Sequence, residues 1–190
     1  RTAGMKATLN KQVSSSVTSD VSFIAKAGQG LSWFQSTGYT QLINEINKTK
    51  GSKPIAVVFN LGINDMANIS NYISYMSDIA STLKSKNCKL FYMSVNPINS
   101  VMITKAGKGA RTEAQVREFN SKIRSGLSLN YKYIDTYSVL MKKGYGTNSS
   151  YSGTDAASDD GLHYTTKTFK RIYYYCITYL NTGSIDASIY

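Results

Sequence analysis

The stretch AVVFNLGINDMAN, Ala56–Asn68, decides the fold. Its first half is rich in β-branched residues and apolar on both faces, the pattern of a strand covered on both sides in a parallel sheet. With Pro54 and Ile55 it predicts a central strand over 54–62. The run then stops at Gly62-Ile63-Asn64-Asp65. At the carboxyl end of such a strand, Asn64 is placed to aim its side-chain amide at a developing oxyanion, and Gly62 lets backbone and substrate approach closely. Asp65 then caps the next helix or anchors the loop. Taken alone, the same four residues read equally well as a strand-ending turn with an Asx motif.

Outward from this point, short β-branched runs alternate with helical patterns. VSFIAKA (21–27), CKLFYMSVNP (88–97) and YKYIDTYSVL (131–140) read as further strands, the last running on into the start of the next element. TGYTQLINEINKT (37–49), ISNYISYMSDIASTLKSK (69–86), TEAQVREFNSKIRSGL (112–127) and TTKTFKRIYYYCITYLN (165–181) read as helices. Ile69, Ile73, Met76, Ile79, Ala80 and Leu83 share one face of the second of these. Thr112 is the expected N-cap of the third, with Gly126 near its end. Strand–helix alternation implies α/β architecture, a mostly parallel sheet with helices on both faces. Two long segments, 98–111 and 142–161, come after strands and fall on the carboxyl edge, where ligand sites of such sheets form.

The chain has 190 residues, 42% of them hydrophobic and 17% charged, a composition suited to one globular domain with a proper core. We expect that domain over 1–182, with 183–190 a tail, as a strand or, better, a disordered terminus. No apolar run reaches the roughly 20 residues of a membrane span. Twenty-two Lys and Arg against eleven Asp and Glu give a net charge of +11. The lysines, such as Lys6, Lys11, Lys26, Lys48, Lys53, Lys84, Lys86 and Lys89, are scattered without a nucleic-acid motif, so no nucleic-acid partner is expected. A basic surface also suits a protein working near anionic cell-wall polymers. Cys88 and Cys176 read as two buried free thiols, and one histidine with two distant cysteines offers no metal cluster.

That histidine is His163, in SDDGLHYTTK, with Asp160 three residues before it and Gly161 between them. In a loop, this spacing lets the carboxylate turn back to the imidazole Nδ1–H, fixing the tautomer and supporting positive charge on the ring. Acidic residues at the start of the last helix, near its dipole, are the competing explanation. AKAGQGLSW (25–33) supplies glycines after the 21–27 strand, and the amide of Gly28 or Gly30 is a possible second oxyanion donor. GxG here is no phosphate loop, because neither a Walker lysine nor a third glycine comes after it.

Together, the glycine loop, G-x-N-D and D-x-x-H, in this order along nearly the whole chain, resemble the SGNH (GDSL-type) hydrolase family. The resemblance extends to SVNP at 94–97 and to the asparagine-bearing helix VREFNSKI. It implies a flavodoxin-like three-layer α/β/α sandwich and a serine esterase needing no metal or organic cofactor. By position, His163 is the general base, Asp160 its partner, and Asn64 and Gly28 the oxyanion donors, with Gly30 in place of Gly28 if the loop register slips. The substrate expected is a small acyl ester or an acylated carbohydrate, such as an O-acetyl polysaccharide, and the setting secreted or cell-surface.

One part of the family pattern is absent. The nucleophile belongs to a G-D-S segment followed in many relatives by R-T, a small residue and G-M, and this chain starts RTAGM. The serine and the first strand, central in this fold, are therefore expected just upstream of Arg1. Ser14, Ser15, Ser16, Ser32 and Ser94 lack the strand-to-helix elbow that a nucleophile needs. A non-catalytic carbohydrate- or cell-wall-binding module, an O-acyltransferase and an anionic-polymer binder stay open as alternatives. Tyr145 and Tyr151, among fifteen tyrosines, are the expected platform for a sugar ring or acyl group, and Trp33 lines either the pocket or the core. Tyr173, Tyr174 and Tyr175 are expected to pack the last helix with hydroxyls reaching solvent.

Overall fold

A computed structural model describes residues 2–12, 19–49, 51–145 and 160–188. Three parallel strands form its sheet, in the order β1 (Ile55–Phe59), β2 (Cys88–Met93), β3 (Lys132–Ile134). β1 pairs with β2 from Ile55↔Cys88 to Phe59↔Tyr92, and β2 with β3 from Phe91↔Lys132 to Met93↔Ile134. The ladder runs one residue further, Ser94 N–H donating to Ile134 O at 3.0 Å.

Alternation along the strands divides the core in two. Val57, Phe59, Leu90 and Tyr92 face one cluster, and Phe91, Met93 and Ile134 face the other. The first cluster is closed by helices α2 (Leu31–Trp33), α3 (Tyr39–Lys48), α4 (Ile69–Ser85) and α6 (Glu113–Gly126). The second is closed by α1 (Thr2–Gln12), α7 (Thr136–Lys142) and α8 (Thr166–Thr182). The result is the expected α/β/α sandwich. Helix α5 (Ser100–Lys105) lies within the segment read from sequence as a loop. Its N-cap Asn99 accepts from Met102 N–H at 3.1 Å.

Local chemistry explains the boundaries. Thr112 caps α6 with a capping box shared with Gln115. Gly126 ends the helix where α4 crosses it, and a Cβ there would sit 2.7 Å from Ile73 Cδ1. Thr165 caps α8, and Gly183, at φ +81°, closes it in the left-handed conformation that ends so many helices. The described residues beyond it, 184–188, form no strand: Asp186 N–H donates to Thr178 Oγ1 at 3.2 Å, and Ile185 packs back against the second cluster.

The expected strand at 21–27 is not one. Its residues lack regular secondary structure, and the described residues place no partner strand beside them. The apolar alternation still acts, since Val21 and Phe23 pack on the second cluster and Ile24 on the first. The helix expected at 37–49 starts earlier: α2 continues through a π-helical turn at Phe34–Gly38 into α3. Cys88 and Cys176 are both free, as expected, and burial pushes the Cys176 thiol up to about 12. Tyr173 and Tyr175 are buried in the second cluster. Contrary to expectation, the Tyr175 hydroxyl is also buried rather than reaching solvent.

Candidate active site

All three strands run toward one carboxyl edge, and the segments after β1 and β2 there carry or contact the candidate residues. After β2, the segment Ser94–Asn99 is buried and lacks regular secondary structure. Asn120, buried on α6, holds both polar backbone groups of Val95: its Oδ1 accepts from Val95 N–H at 2.9 Å and its Nδ2 donates to Val95 O at 2.8 Å. It thus stands in for a neighbouring strand, which gives a physical reason for an asparagine in that helix. Ser94, far from being a nucleophile, is fully buried, with its Oγ bonded to Thr136 Oγ1 and accepting from Tyr137 N–H.

The Asp160–His163 turn is seated on this segment. Asn99 N–H donates to Gly161 O at 2.9 Å, and the Tyr164 hydroxyl donates to Pro97 O. Gly161 has φ +70°, and a Cβ there would overlap Asn99 O, so only glycine allows the turn to press so close. Asp160 Oδ1 accepts from the amides of Leu162 and His163 at 2.9 and 2.8 Å, and its Oδ2 lies 2.6 Å from His163 Nδ1. Burial by itself raises the Asp160 carboxyl pKa, but the hydrogen bonds from the His163 amide and ring and the Leu162 amide outweigh it and hold it at about 2. The carboxylate is buried, whereas the His163 side chain is 48% exposed. With Nδ1 held, proton exchange with a ligand falls to Nε2.

The G-I-N-D turn comes after β1, next to β2. Gly62 has φ +119°, and its missing side chain makes room for the Phe119 ring rather than for a substrate. Asp65 anchors the glycine loop: its Oδ2 accepts from Leu31 N–H at 2.8 Å and its Oδ1 from the Tyr72 hydroxyl at 2.5 Å. It makes no side-chain cap to the helical turn at Met66–Asn68. A Cβ on Gly30 would overlap the Asp65 carboxylate. Gly28, at φ +72°, is an exposed turn residue with nothing near its Cα face. Asn64 lies against the residue between these glycines, its Nδ2 donating to Gln29 O at 2.8 Å.

One segment joins the two halves. Lys108 Nζ lies 3.9 Å from Asp160 Oδ2. Three residues on, Arg111 donates from Nε to Ile63 O at 2.8 Å and from Nη2 to Asn64 Oδ1 at 3.3 Å. The segment 108–111 thus reaches the His163 turn through Lys108 and the Asn64 turn through Arg111. Neither Lys108 nor Arg111 is singled out by sequence reasoning, because both act across the fold. The start of α1 reaches the same edge: Thr2 Oγ1 donates to Asn60 Oδ1 at 3.3 Å, and Asn60 Nδ2 donates to Ser94 O at 2.9 Å.

A groove of about 250 Å³ opens behind the glycine loop, lined by Leu31, Ser32, Gln35, Asn68, Asn71, Ser74, Tyr75 and Asp78. Its lining holds amides, hydroxyls and one carboxylate but no cation, although the chain carries +11. The groove abuts the G-I-N-D turn, since Leu31 N–H and Asn68 N–H both donate to Asp65. Tyr145, expected in a tyrosine platform, is partly buried against the second core cluster. Its hydroxyl bonds Thr168 Oγ1 and accepts from Arg171 Nη1 at 3.1 Å, tying it to α8. Tyr151 lies outside the described residues, as do Ser14, Ser15 and Ser16. Trp33 packs against the first core cluster. No group of His, Cys, Asp or Glu suited to a metal occurs among the described residues, and no helix there is long and apolar enough to cross a membrane.

Compared with known proteins, residues 2–175 match the family model of the GDSL-like lipase/acylhydrolases. No curated protein matches the chain.

Proposed function

Because the chain belongs to the GDSL-like lipase/acylhydrolase family, a family of hydrolases, we propose that it is a serine esterase acting on small acyl esters, in particular O-acetyl groups on carbohydrate. The observation that carries this reading is the short Asp160–His163 pair, half open to solvent on the edge that also holds Asn64. The nucleophile in this reading is a serine immediately preceding Arg1. The bond from Thr2 to Asn60 supports it, since it holds the start of α1 against the end of β1.

In the reaction, the serine oxygen attacks the ester carbonyl carbon while His163 Nε2 takes its proton. Asp160, kept ionised, stabilises the imidazolium and holds its tautomer. Asn64 Nδ2–H and an amide of the glycine loop, from Gly28 or Gly30, receive the oxyanion. Collapse breaks the ester C–O bond, and His163 returns the proton to the departing alcohol. Water, deprotonated by His163, then releases the acid and restores the serine. The groove beside the G-I-N-D turn, lined by amides, hydroxyls and one carboxylate and by no cation, supports a neutral polyhydroxylated substrate such as a sugar. Such a substrate places the protein outside the cell or on its surface.

The test uses the full chain with its residues before Arg1. His163→Ala should lower kcat on p-nitrophenyl acetate and on an O-acetylated oligosaccharide by on the order of 10³-fold or more, with the fold retained by circular dichroism. Unchanged turnover would overturn the mechanism. Turnover of the aryl ester alone would overturn the carbohydrate assignment.

A further inference from the structure

We propose that Arg111 is a positioning residue that locks the Asn64 amide in its donating orientation, an inference that rests on the role given to Asn64 above. An exposed asparagine at a loop tip has a freely turning side-chain amide, and a donor that swings contributes little to a transition state. Here both ends of the amide are held. Arg111 Nη2 binds Oδ1 at 3.3 Å, and Nδ2 gives one proton to Gln29 O at 2.8 Å. The amide is planar and carries two N–H groups, so fixing Oδ1 and one N–H fixes the direction of the other. Asn64 is exposed, and that remaining N–H is the one available to a ligand at the edge.

The guanidinium is itself immobilised. Nε donates to Ile63 O at 2.8 Å and Nη1 to Gly109 O at 2.8 Å, so two donors tether the guanidinium to backbone carbonyls while a third reaches Asn64 Oδ1. The next residue is Thr112, whose capping box sets the backbone at the start of α6. A lysine has no planar fork and cannot bridge Ile63 O and Asn64 Oδ1 together. The positive charge beside Oδ1 also draws electron density from the amide nitrogen, which makes the remaining N–H a stronger donor to a negative oxygen.

A double-mutant cycle on the full chain tests this through kcat. Asn64→Ala should lower kcat about 100-fold or more, as loss of an oxyanion donor does. Arg111→Met should lower it about 10-fold with KM within about two-fold, because the contact acts on the transition state and not on ground-state binding. In the Asn64→Ala background, Arg111→Met should cost nothing further, and Arg111→Lys should fail to restore the single variant. An equal loss in both backgrounds, or no loss in the single variant, would overturn the proposal. An unchanged kcat in Asn64→Ala would instead sink the oxyanion assignment. NMR then still reads Arg111: the two Asn64 Nδ2 protons should exchange with solvent at different rates in the parent chain, and the difference should shrink in Arg111→Met, which keeps only the bond to Gln29 O. Equal rates in the parent would overturn the proposal.

Discussion

Asp65 is the residue on which the geometry of the glycine loop turns, and Asp65→Ala puts a number on it. Its carboxylate accepts from Leu31 N–H at 2.8 Å and from the Tyr72 hydroxyl at 2.5 Å. Burial and then the bond to Asp65 raise the Tyr72 phenol pKa, so it remains a donor across the usable pH range. Each hydrogen bond to an ionised partner is worth about 1.5–3 kcal/mol, and removing the acceptor leaves two donors unsatisfied. Both bonds are only partly buried, which favours the low end, about 3 kcal/mol for the pair. In a chain of this size that lowers Tm by about 6–12 °C. Tyr72→Phe removes one bond and leaves the tether to Leu31, so it should cost about half as much. Urea unfolding followed by circular dichroism measures both. Because the tether positions residues 28–30, Asp65→Ala should also lower ester turnover well beyond Tyr72→Phe. A loss below about 0.5 kcal/mol, typical of an inconsequential surface change, would refute the reasoning. So would equal losses in the two variants, since the Leu31 tether would then contribute nothing.

Two further outcomes are expected. The Asp160 carboxyl pKa sits at about 2 in the folded chain, below its unfolded value near 3.9, so it adds stability that is complete above the unfolded value and lost as pH falls toward 2. That contribution is about 2 kcal/mol, and urea unfolding between pH 6 and pH 2 should show a steeper acid loss in the parent chain than in Asp160→Asn; matching slopes would contradict it. Gly62→Ala should destabilise by roughly 3 kcal/mol, combining a strained positive φ with overlap against the Phe119 ring. A Phe119→Leu background should recover part of that loss, and no recovery would show that packing is not the cause.

The parts of this chain legible from sequence are those encoded locally. The doubly apolar run ending at Phe59, the face of α4 carrying Met76, Ile79, Ala80 and Leu83, and the Thr112 cap each depend on residues a few positions apart. The Asp160–His163 contact is legible for the same reason, spanning three residues. The run at 21–27 shows the limit. Its alternation correctly divides Val21 and Phe23 from Ile24, but alternation specifies faces, whereas a strand also needs a neighbour to bond. The start of α2 at Leu31 is hidden by the π turn at Phe34–Gly38, which breaks the 3.6-residue period. Gly62 is misread for another reason: the space its missing side chain leaves is filled by Phe119, far along the chain. The same holds for the bonds of Leu31 to Asp65 and Arg111 to Asn64, across 34 and 47 residues, where no spacing rule operates.

The most direct test of the central claim is the intact mass of the full chain before and after a fluorophosphonate probe, with peptide mapping of any adduct. The expected result is one adduct on the serine immediately preceding Arg1, formed orders of magnitude more slowly in His163→Ala. No adduct, or an adduct on a serine elsewhere such as Ser32, would contradict the assignment of His163, Asp160 and Asn64 to one esterase site.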